Sequence, residues 1–391
     1  MVNILELDEL ILRAETWAVG LRQEFHRWPE LGNEEFRTSE RVLSGLQSLG
    51  IEAEQLLPTG IMGSSKKKSG KKTVALRADM DALPIQETVS LPFSSERKGI
   101  MHACGHDVHT AVLLGTAMVI SEIQDDINGN VKYIFQPAEE TTGGAKRMIR
   151  KGCLEPETDY ILGLHVKPDL PAGTIGVKYG KVHASSDMFK ITIIGKNSHG
   201  AYPEMGIDSI VAASQIVTGI QSIVSRNISP LNSAVITVGG LHGGAAVNLI
   251  SDTVILEGTI RSLDHLSRSF LKERLTEMAR YTAKAYGAKA EVKFKKGYPV
   301  LINDNLIVET VKNTAICDTS IEKVIELKEP TMGVEDFAYY LERVPGAFFF
   351  LGSGYKGREN KGLHTGGFEV DEKCIGYGIQ LFVMAVLKLL E

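Results

Sequence analysis

The nine residues Met101-His102-Ala103-Cys104-Gly105-His106-Asp107-Val108-His109 bring one thiol, three imidazoles and a carboxylate together. Thiolate, imidazole and carboxylate are the donors that hold Zn, Mn, Ni or Co. Cys104 and His106 flank a single glycine, so one tight turn can aim both at the same point. The alternative is a turn with a buried cysteine and hydrogen-bonded histidines. His109 reads as a group that orients a ligand or caps a helix. Further along come Gln136-Pro137-Ala138-Glu139-Glu140, then Gly163-Leu164-His165, and near the end Leu363-His364-Thr365. Two adjacent acids usually face solvent. Set directly after a buried strand, one can ligate a metal while the other takes a proton from activated water. His165 and His364 each close an apolar, strand-like segment, where a lone histidine is more often structural than ligating. Asp79 and Asp81 suit carboxylates that orient imidazoles. Taken together, these residues read as a metallohydrolase. The chain has no Gly-x-Ser-x-Gly elbow, so a serine nucleophile finds no support.

The elements around these residues alternate. Asp8–Trp28 has helical periodicity and stops at Pro29, and a second helix covers roughly Glu34–Leu49. Ser64–Lys72 reads as a solvated hairpin tip. Strands are expected at Thr73–Arg77, Val131–Phe135 and Tyr160–His165, with helices at Val108–Glu122 and Gly143–Lys151 between them. That order implies an α/β domain with a mainly parallel central sheet, whose chemistry gathers at the carboxyl ends of its strands. From about Ser185 the pattern changes. Strands at Phe189–Ile194, Ala234–Gly239, Val254–Arg261 and Ala290–Phe294, with helices at Ile207–Arg226 and Leu266–Tyr286, form an α+β insert with an antiparallel sheet. After about Val300 the α/β pattern returns: a helix from Asn305, one from near Val334, a strand at Ala347–Leu351 and a last helix from about Asp371. The expected organisation is a catalytic domain in two parts, residues 1–184 and 297–391, interrupted by an inserted domain at 185–296. In the insert, Ser198-His199-Gly200 sits in a Gly-rich turn. Gly239–Asn248 reads as a Gly-rich loop that could bring N–H groups and Asn248 to a small anion. It lacks the Lys-Ser/Thr of a phosphate loop.

Composition bounds the rest. A chain of 391 residues suits two domains, and 43% hydrophobic with 23% charged residues is ordinary for a globular protein. A net charge of −5 offers no basic footprint for nucleic acid. No apolar run reaches the length of a membrane span, and Met1–Arg13 lacks the basic start and apolar stretch of a signal peptide. The expected location is cytoplasmic. Four scattered cysteines give no disulfide framework, and Cys153, Cys317 and Cys374 read as packing residues.

The chain resembles the amidohydrolase branch of the aminoacylase/carboxypeptidase co-catalytic metallopeptidases, which includes hippurate hydrolases, N-acyl amino acid amidohydrolases and auxin-conjugate hydrolases. The resemblance runs from Phe25-His26-Arg27-Trp28-Pro29-Glu30-Leu31 to the last helix. Its seven ordered elements are Arg77–Pro84, His102–His109, Phe135–Glu140, Gly163-Leu164-His165, Ser198-His199-Gly200, Gly333–Phe337 and Leu363-His364-Thr365. It implies a metallopeptidase-like catalytic domain with an inserted lid and dimerisation domain. It also implies two divalent metal ions per subunit on Cys104, His106, Glu140, His165 and His364, with Glu139 as general base. His199 would polarise the scissile carbonyl, often across a dimer interface, with Asn248 and Arg261 near the substrate carboxylate. Relatives usually carry proline where this chain has Ser251, which predicts a looser loop at Asn248.

The function so implied is hydrolysis of the amide bond in a small N-acyl amino acid of N-acetyl or N-benzoyl type. The expected assembly is a homodimer or higher homo-oligomer, with neither nucleic acid nor membrane as partner. A dipeptidase or carboxypeptidase using the same site is the nearer alternative. A non-catalytic metal-dependent binding protein is the distant one, and Glu139 argues against it because a binder needs no base.

Overall fold

The computed structural model describes residues 4–65, 68–317 and 320–391. In chain order the first elements are α1 (Ile4–Arg27), α2 (Phe36–Ser48), β1 (Glu52–Leu57), β2 (Gly60–Ser64), β3 (Thr73–Asp79), α3 (His106–Glu122), β4 (Asn130–Gln136), α4 (Ala145–Arg150), β5 (Tyr160–Pro171), β6 (Thr174–Val177) and β7 (Gly180–His183). Next come β8 (Ser185–Ile194), β9 (Ser198–His199), α5 (Ser209–Ser222), β10 (Ala234–Gly243), β11 (Leu249–Ile250), β12 (Thr253–Ser262), α6 (His265–Ala285), β13 (Lys289–Lys296) and β14 (Leu301–Asn303). The chain ends with α7 (Asn305–Cys317), β15 (Lys323–Glu326), α8 (Ala338–Leu341), β16 (Gly346–Gly354) and α9 (Lys373–Leu389). It divides into two compact units. One holds the residues up to Gly180, Ile302–Glu329 and Asp336–Glu391; the other holds Lys181–Leu301 and Pro330–Glu335.

The larger unit is built on an eight-stranded sheet of order β1-β2-β4-β3-β5-β16-β6-β15. The pairs β3–β4, β3–β5, β5–β16 and β6–β15 are parallel, so the sheet is mainly parallel as expected. Every residue of β3 is buried, as befits a strand covered on both faces. Helix α3 is buried along nearly its whole length, and its Val108, Val112 and Ile120 share one core with Ile11, Leu21, Ile379 and Phe382. Strand β4 lies between β2 and β3, so Ser64–Lys72 is a crossover between non-adjacent strands and not the expected hairpin tip. Residues 66 and 67 of that segment lie outside the described residues. Cys317, expected to pack, is exposed at the end of α7, whereas Cys153 and Cys374 are buried.

The smaller unit carries a four-stranded antiparallel sheet of order β10-β12-β8-β13. Strand β8 alternates: Phe189, Ile191 and Ile193 join the core with Ala212, Ile216 and Ile220 of α5 and Leu271, Leu275 and Ala279 of α6, while Lys190 faces out. The Gly-rich stretch expected to be a loop is half strand. Gly239–Gly243 belongs to β10, with a register shift between Val238 and Gly240, leaving a loop only at 244–248. Ser251 is buried. Its hydroxyl donates to the Thr253 carbonyl at 3.0 Å and its own carbonyl receives the Ser209 hydroxyl at 2.7 Å, so the expected loosening is countered locally. No helix among the described residues is long and apolar enough to cross a membrane.

One buried charge cluster ties α1 to the start of α3. Arg22 Nε donates to Asp107 Oδ2 at 2.9 Å, and His26 Nδ1 meets the same oxygen at 2.8 Å. Burial alone would raise the Asp107 carboxyl, but Arg22 and His26 hold it far below the usual carboxylate range. A depressed folded pKa contributes stability that is complete above the unfolded value, about 3.9, and is lost as pH falls through and below it. Asp107→Asn should therefore destabilise the metal-free protein at pH 7 by about 3–5 kcal/mol, the usual cost of breaking a buried pair. The gap in thermal midpoint between variant and wild type should narrow as pH drops below about 4. A gap that is constant across pH 3–7 would disprove the charge argument.

Candidate metal centre

The candidate ligands converge at one end of the large sheet. Gly105, at φ +82°, precedes α3 and turns Cys104 and His106 towards one another; a Cβ there would lie 2.4 Å from Val166 Cγ2. Glu139 and Glu140 follow β4. His165 sits inside β5, not at its close as the sequence implied, because β5 continues six residues further. It lies two residues beyond Gly163, where pairing with β3 stops, and is still flanked on its other side by β16, with Phe350 opposite. His364 is not strand-borne at all. It occupies an irregular turn at φ +61°, held by its N–H to the Ala103 carbonyl at 2.8 Å.

All six residues meet. Cys104 Sγ lies 3.4 Å from His165 Nε2 and 3.3 Å from His364 Nε2, and Glu140 Oε1 lies 2.8 Å from His364 Nε2. Three overlapping trios each keep their donor atoms within 4.8 Å: Cys104–His106–His165, Cys104–Glu140–His364 and His106–Glu139–Glu140.

Hydrogen bonds settle which imidazoles are available. The Val166 carbonyl can only accept, so His165 Nδ1 carries the proton at 2.8 Å and leaves the Nε2 lone pair facing Cys104. His106 Nδ1 donates to Asp81 Oδ1 at 3.2 Å, and its buried Nε2 has no hydrogen-bond partner. A buried nitrogen with an unspent lone pair beside a thiol and carboxylates fits a cation. His109 is spent: its Nε2 accepts the Val166 N–H at 2.9 Å, and its Nδ1 donates to Asp79 Oδ1 at 2.6 Å. It orients the strand beside His165 and offers no lone pair. Asp79 also binds Arg77 Nη1 at 2.6 Å, and Arg77 Nη2 reaches Asp336 at 2.8 Å. Both aspartates are therefore positioning groups. Asp81 receives the backbone N–H of Glu139 on one oxygen and that of Glu140 on the other, each at 3.0 Å. This clamp on the Glu pair has no signature in spacing, since 58 residues separate Asp81 from Glu139.

The electrostatics also fit a cation. Burial, Glu140 and Glu139 push the Cys104 thiol well above its usual range. Burial would lower His106, but Asp79, Asp81 and Glu140 raise it to about 10. Burial and the neighbouring His109 push His165 well down. An acidic cluster that raises both a thiol and an imidazole is a field in want of positive charge, and a divalent ion would displace both protons.

The remaining candidates lie in the smaller unit. His199 and Asn248 come together: β9 pairs with β11, and Gly200 N–H donates to the Asn248 carbonyl at 2.7 Å. His199 is exposed, and its Nδ1 accepts from Ala201 N–H at 3.1 Å. Arg261 is not with them. It stands near the far end of β12, eight residues beyond Thr253, or about 26 Å at strand rise, and its guanidinium reaches the Met332 carbonyl at 3.4 Å.

Comparison with known proteins places the chain in a family. The model of peptidase family M20/M25/M40 matches residues 75–388. The N-acetyl-L-cysteine deacetylase of Bacillus subtilis is 43% identical over 92% of this chain and 85% of its own length. Thermostable carboxypeptidase 1 of Saccharolobus solfataricus is 39% identical over 98% of both. Among solved structures, a Bacillus subtilis dinuclear metal binding peptidase superposes with a TM-score of 0.84 at 36% identity, covering 97% of this chain and 99% of its own.

Buried Cys104 and exposed Cys317 supply an internal comparison. With saturating Zn, prolonged alkylation at alkaline pH should mark Cys317 and spare Cys104; after chelation Cys104 should label as well, though slowly, because a coordinated thiolate is shielded whereas the freed thiol, held protonated by burial and Glu140, still ionises in part. Peptide mapping by mass spectrometry reads both sites in one sample. Equal Cys104 labelling with and without metal would remove it from the ligand set.

Proposed function

Because the chain belongs to peptidase family M20/M25/M40 and is a hydrolase of amide or peptide bonds, we propose that it removes the acyl group from small N-acyl amino acids. The observation that carries this is the Glu139–Glu140 pair, with both backbone N–H groups fixed on one carboxylate, Asp81. Clamped in that way, two adjacent acids can hold different tasks. Glu140, drawn down in pKa chiefly by His364 against its own burial, is the ligand. Glu139, buried beside it, is the base. Cys104, His106, Glu140, His165 and His364 would hold two divalent ions, Zn, Mn, Ni or Co by donor type. Bound there, the ions supply Lewis acidity and lower the pKa of water towards about 7. Glu139 would take a proton from the attacking water as the water's oxygen bonds to the amide carbon. Glu139 then gives the proton to the nitrogen as the C–N bond breaks, leaving a carboxylic acid and an amine, between which the last proton passes to give carboxylate and ammonium.

His199 would donate to the carbonyl oxygen in the transition state, and Asn248 and Arg261 would meet the substrate carboxylate. The separation along β12 bears on how. One small substrate cannot touch both ends of a strand about 26 Å apart, so a site using all three draws them from two copies. The edge strand β10 supports a homodimer: its backbone is unpaired on one side, and Leu241 on β10 and Ile210 and Val211 on α5 are exposed. The carboxypeptidase relative favours a second reading, cleavage of short peptides by the same groups. A panel of N-acetyl, N-benzoyl and dipeptide substrates, run with metal analysis, separates the two.

Glu139→Gln should keep its metal and lose turnover by about 100- to 10,000-fold, the range for a positioned base. Wild-type kcat at full metal occupancy would exclude Glu139 from the mechanism. His199→Ala should lower kcat without changing metal content, since it removes transition-state stabilisation and no ligand. In hybrid dimers of His199→Ala with Glu139→Gln, one composite site stays intact and some activity should return. Verified heterodimers without activity would rule out the shared site.

A further inference from the structure

We propose that Glu35 is a positioning residue for the general base, acting through the backbone of Ala138; this rests on Glu139 being that base. Glu35 occupies the position just before α2, where an acidic side chain ordinarily caps its own helix. It does not do so here. Glu30 takes that task, accepting from Arg37 N at 3.2 Å and from Thr38 N at 2.8 Å. The Glu35 carboxylate points instead to a turn 103 residues away and accepts the Ala138 N–H at 2.8 Å. Glu35 is fully buried, and burying a carboxyl is costly unless it has work to do. Burial raises its pKa, Thr59 and the Ala138 N–H oppose that rise, and nearby Asp81 adds to it.

What it holds is strained. Ala138 sits at φ +59°, a conformation that disfavours a Cβ, immediately before Glu139. Left alone, the turn gains by relaxing to negative φ, which would swing the Glu139 carboxylate away. The space around the turn is also closed: a Cβ on Gly32 would lie 2.4 Å from Thr141 Oγ1 and 3.1 Å from Ala138 Cα. Three successive N–H groups, those of Ala138, Glu139 and Glu140, thus end on two buried carboxylates, Glu35 and Asp81. Asp81 also orients His106, so its loss would disturb ligand and base together. Glu35 meets Ala138 and Thr59 and none of the candidate ligands, so with metal content measured alongside, its removal separates the aim of Glu139 from ligand loss.

The test is steady-state kinetics of Glu35→Ala, Glu35→Gln, Glu35→Ala/Ala138→Gly and Glu139→Gln, loaded with the same metal and assayed on the best N-acyl amino acid or dipeptide of the wild-type protein, with metal content measured on each. Glu35→Ala should lose about 100-fold in kcat, the scale of an ångström-sized misplacement, with KM and metal content unchanged. Glu35→Gln keeps an acceptor for the Ala138 N–H and should stay near wild type. Ala138→Gly should return part of the loss, since glycine holds positive φ without strain. If Glu35→Ala does not fold, Glu35→Asp, which withdraws the carboxylate by one methylene, carries the same expectation. Unchanged kcat in both Glu35→Ala and Glu35→Asp, a loss that tracks metal content, or Glu35→Gln falling as far as Glu35→Ala would overturn the proposal. Turnover surviving in Glu139→Gln would overturn the base assignment itself, a distinct result.

Discussion

The site depends on the carboxylate of Asp81. Its two oxygens receive three donors: the N–H groups of Glu139 and Glu140 and the Nδ1–H of His106. A single rigid group thereby fixes the relative position of His106, Glu140 and Glu139, the two proposed ligands and the proposed base. Each bond to an ionised acceptor is worth more than a neutral one, and burial strengthens all three. The geometry follows from topology. Asp81 lies just beyond β3, the Glu pair just beyond β4, and these strands run parallel and paired as far as Asp79 and Gln136. Parallel pairing brings the two carboxyl ends level, and the short segments after them meet.

Negative charge accumulates there by design of the same layout. Asp79, Asp81, Glu139 and Glu140 crowd one end of the sheet beside the protonated Cys104 thiol, and the buried cation Arg77 is engaged by Asp79 and Asp336. Self-repulsion of this kind costs stability in the absence of counter-charge. Bound cations would remove that cost, so metal affinity and the stability of the turns that carry the ligands are linked.

Much of this was legible in the sequence, and what escaped has physical reasons. The alternation of strands and helices marked the parallel sheet, and the ligand types marked a metal chemistry. Periodicity located β3, β4 and α3 within one or two residues of their observed ends. The crossover at Ser64–Lys72 was not legible, because a polar run looks the same whether it joins neighbouring strands or passes over one. His364 was misplaced for a similar reason: an apolar neighbour beside a histidine resembles a strand end, and a backbone at φ +61° leaves no pattern. The partners of His109, Glu35 and the Glu pair were invisible because each bond joins segments far apart in sequence. His109 carries the same residue type as His106, and only the Val166 N–H at its Nε2 tells the two apart.

Strain is distributed to the same place. Among the described residues, three without glycine's freedom adopt positive φ: Asn33, Ala138 and His364. Ala138 precedes Glu139, the proposed base, His364 is itself a candidate ligand, and Asn33 donates to Thr142 Oγ1 in the turn beyond the Glu pair. Each such conformation costs about 1–2 kcal/mol, so a fold selected for stability alone would have relaxed them or used glycine. Glycine would have removed the cost and with it the rigidity, since it occupies positive and negative φ about equally. A strained alanine held by a buried carboxylate has one accessible state. That trade would fix the aim of Glu139, the proposed base, before substrate arrives, which is the condition for a catalytic group to lower the barrier without reorganising.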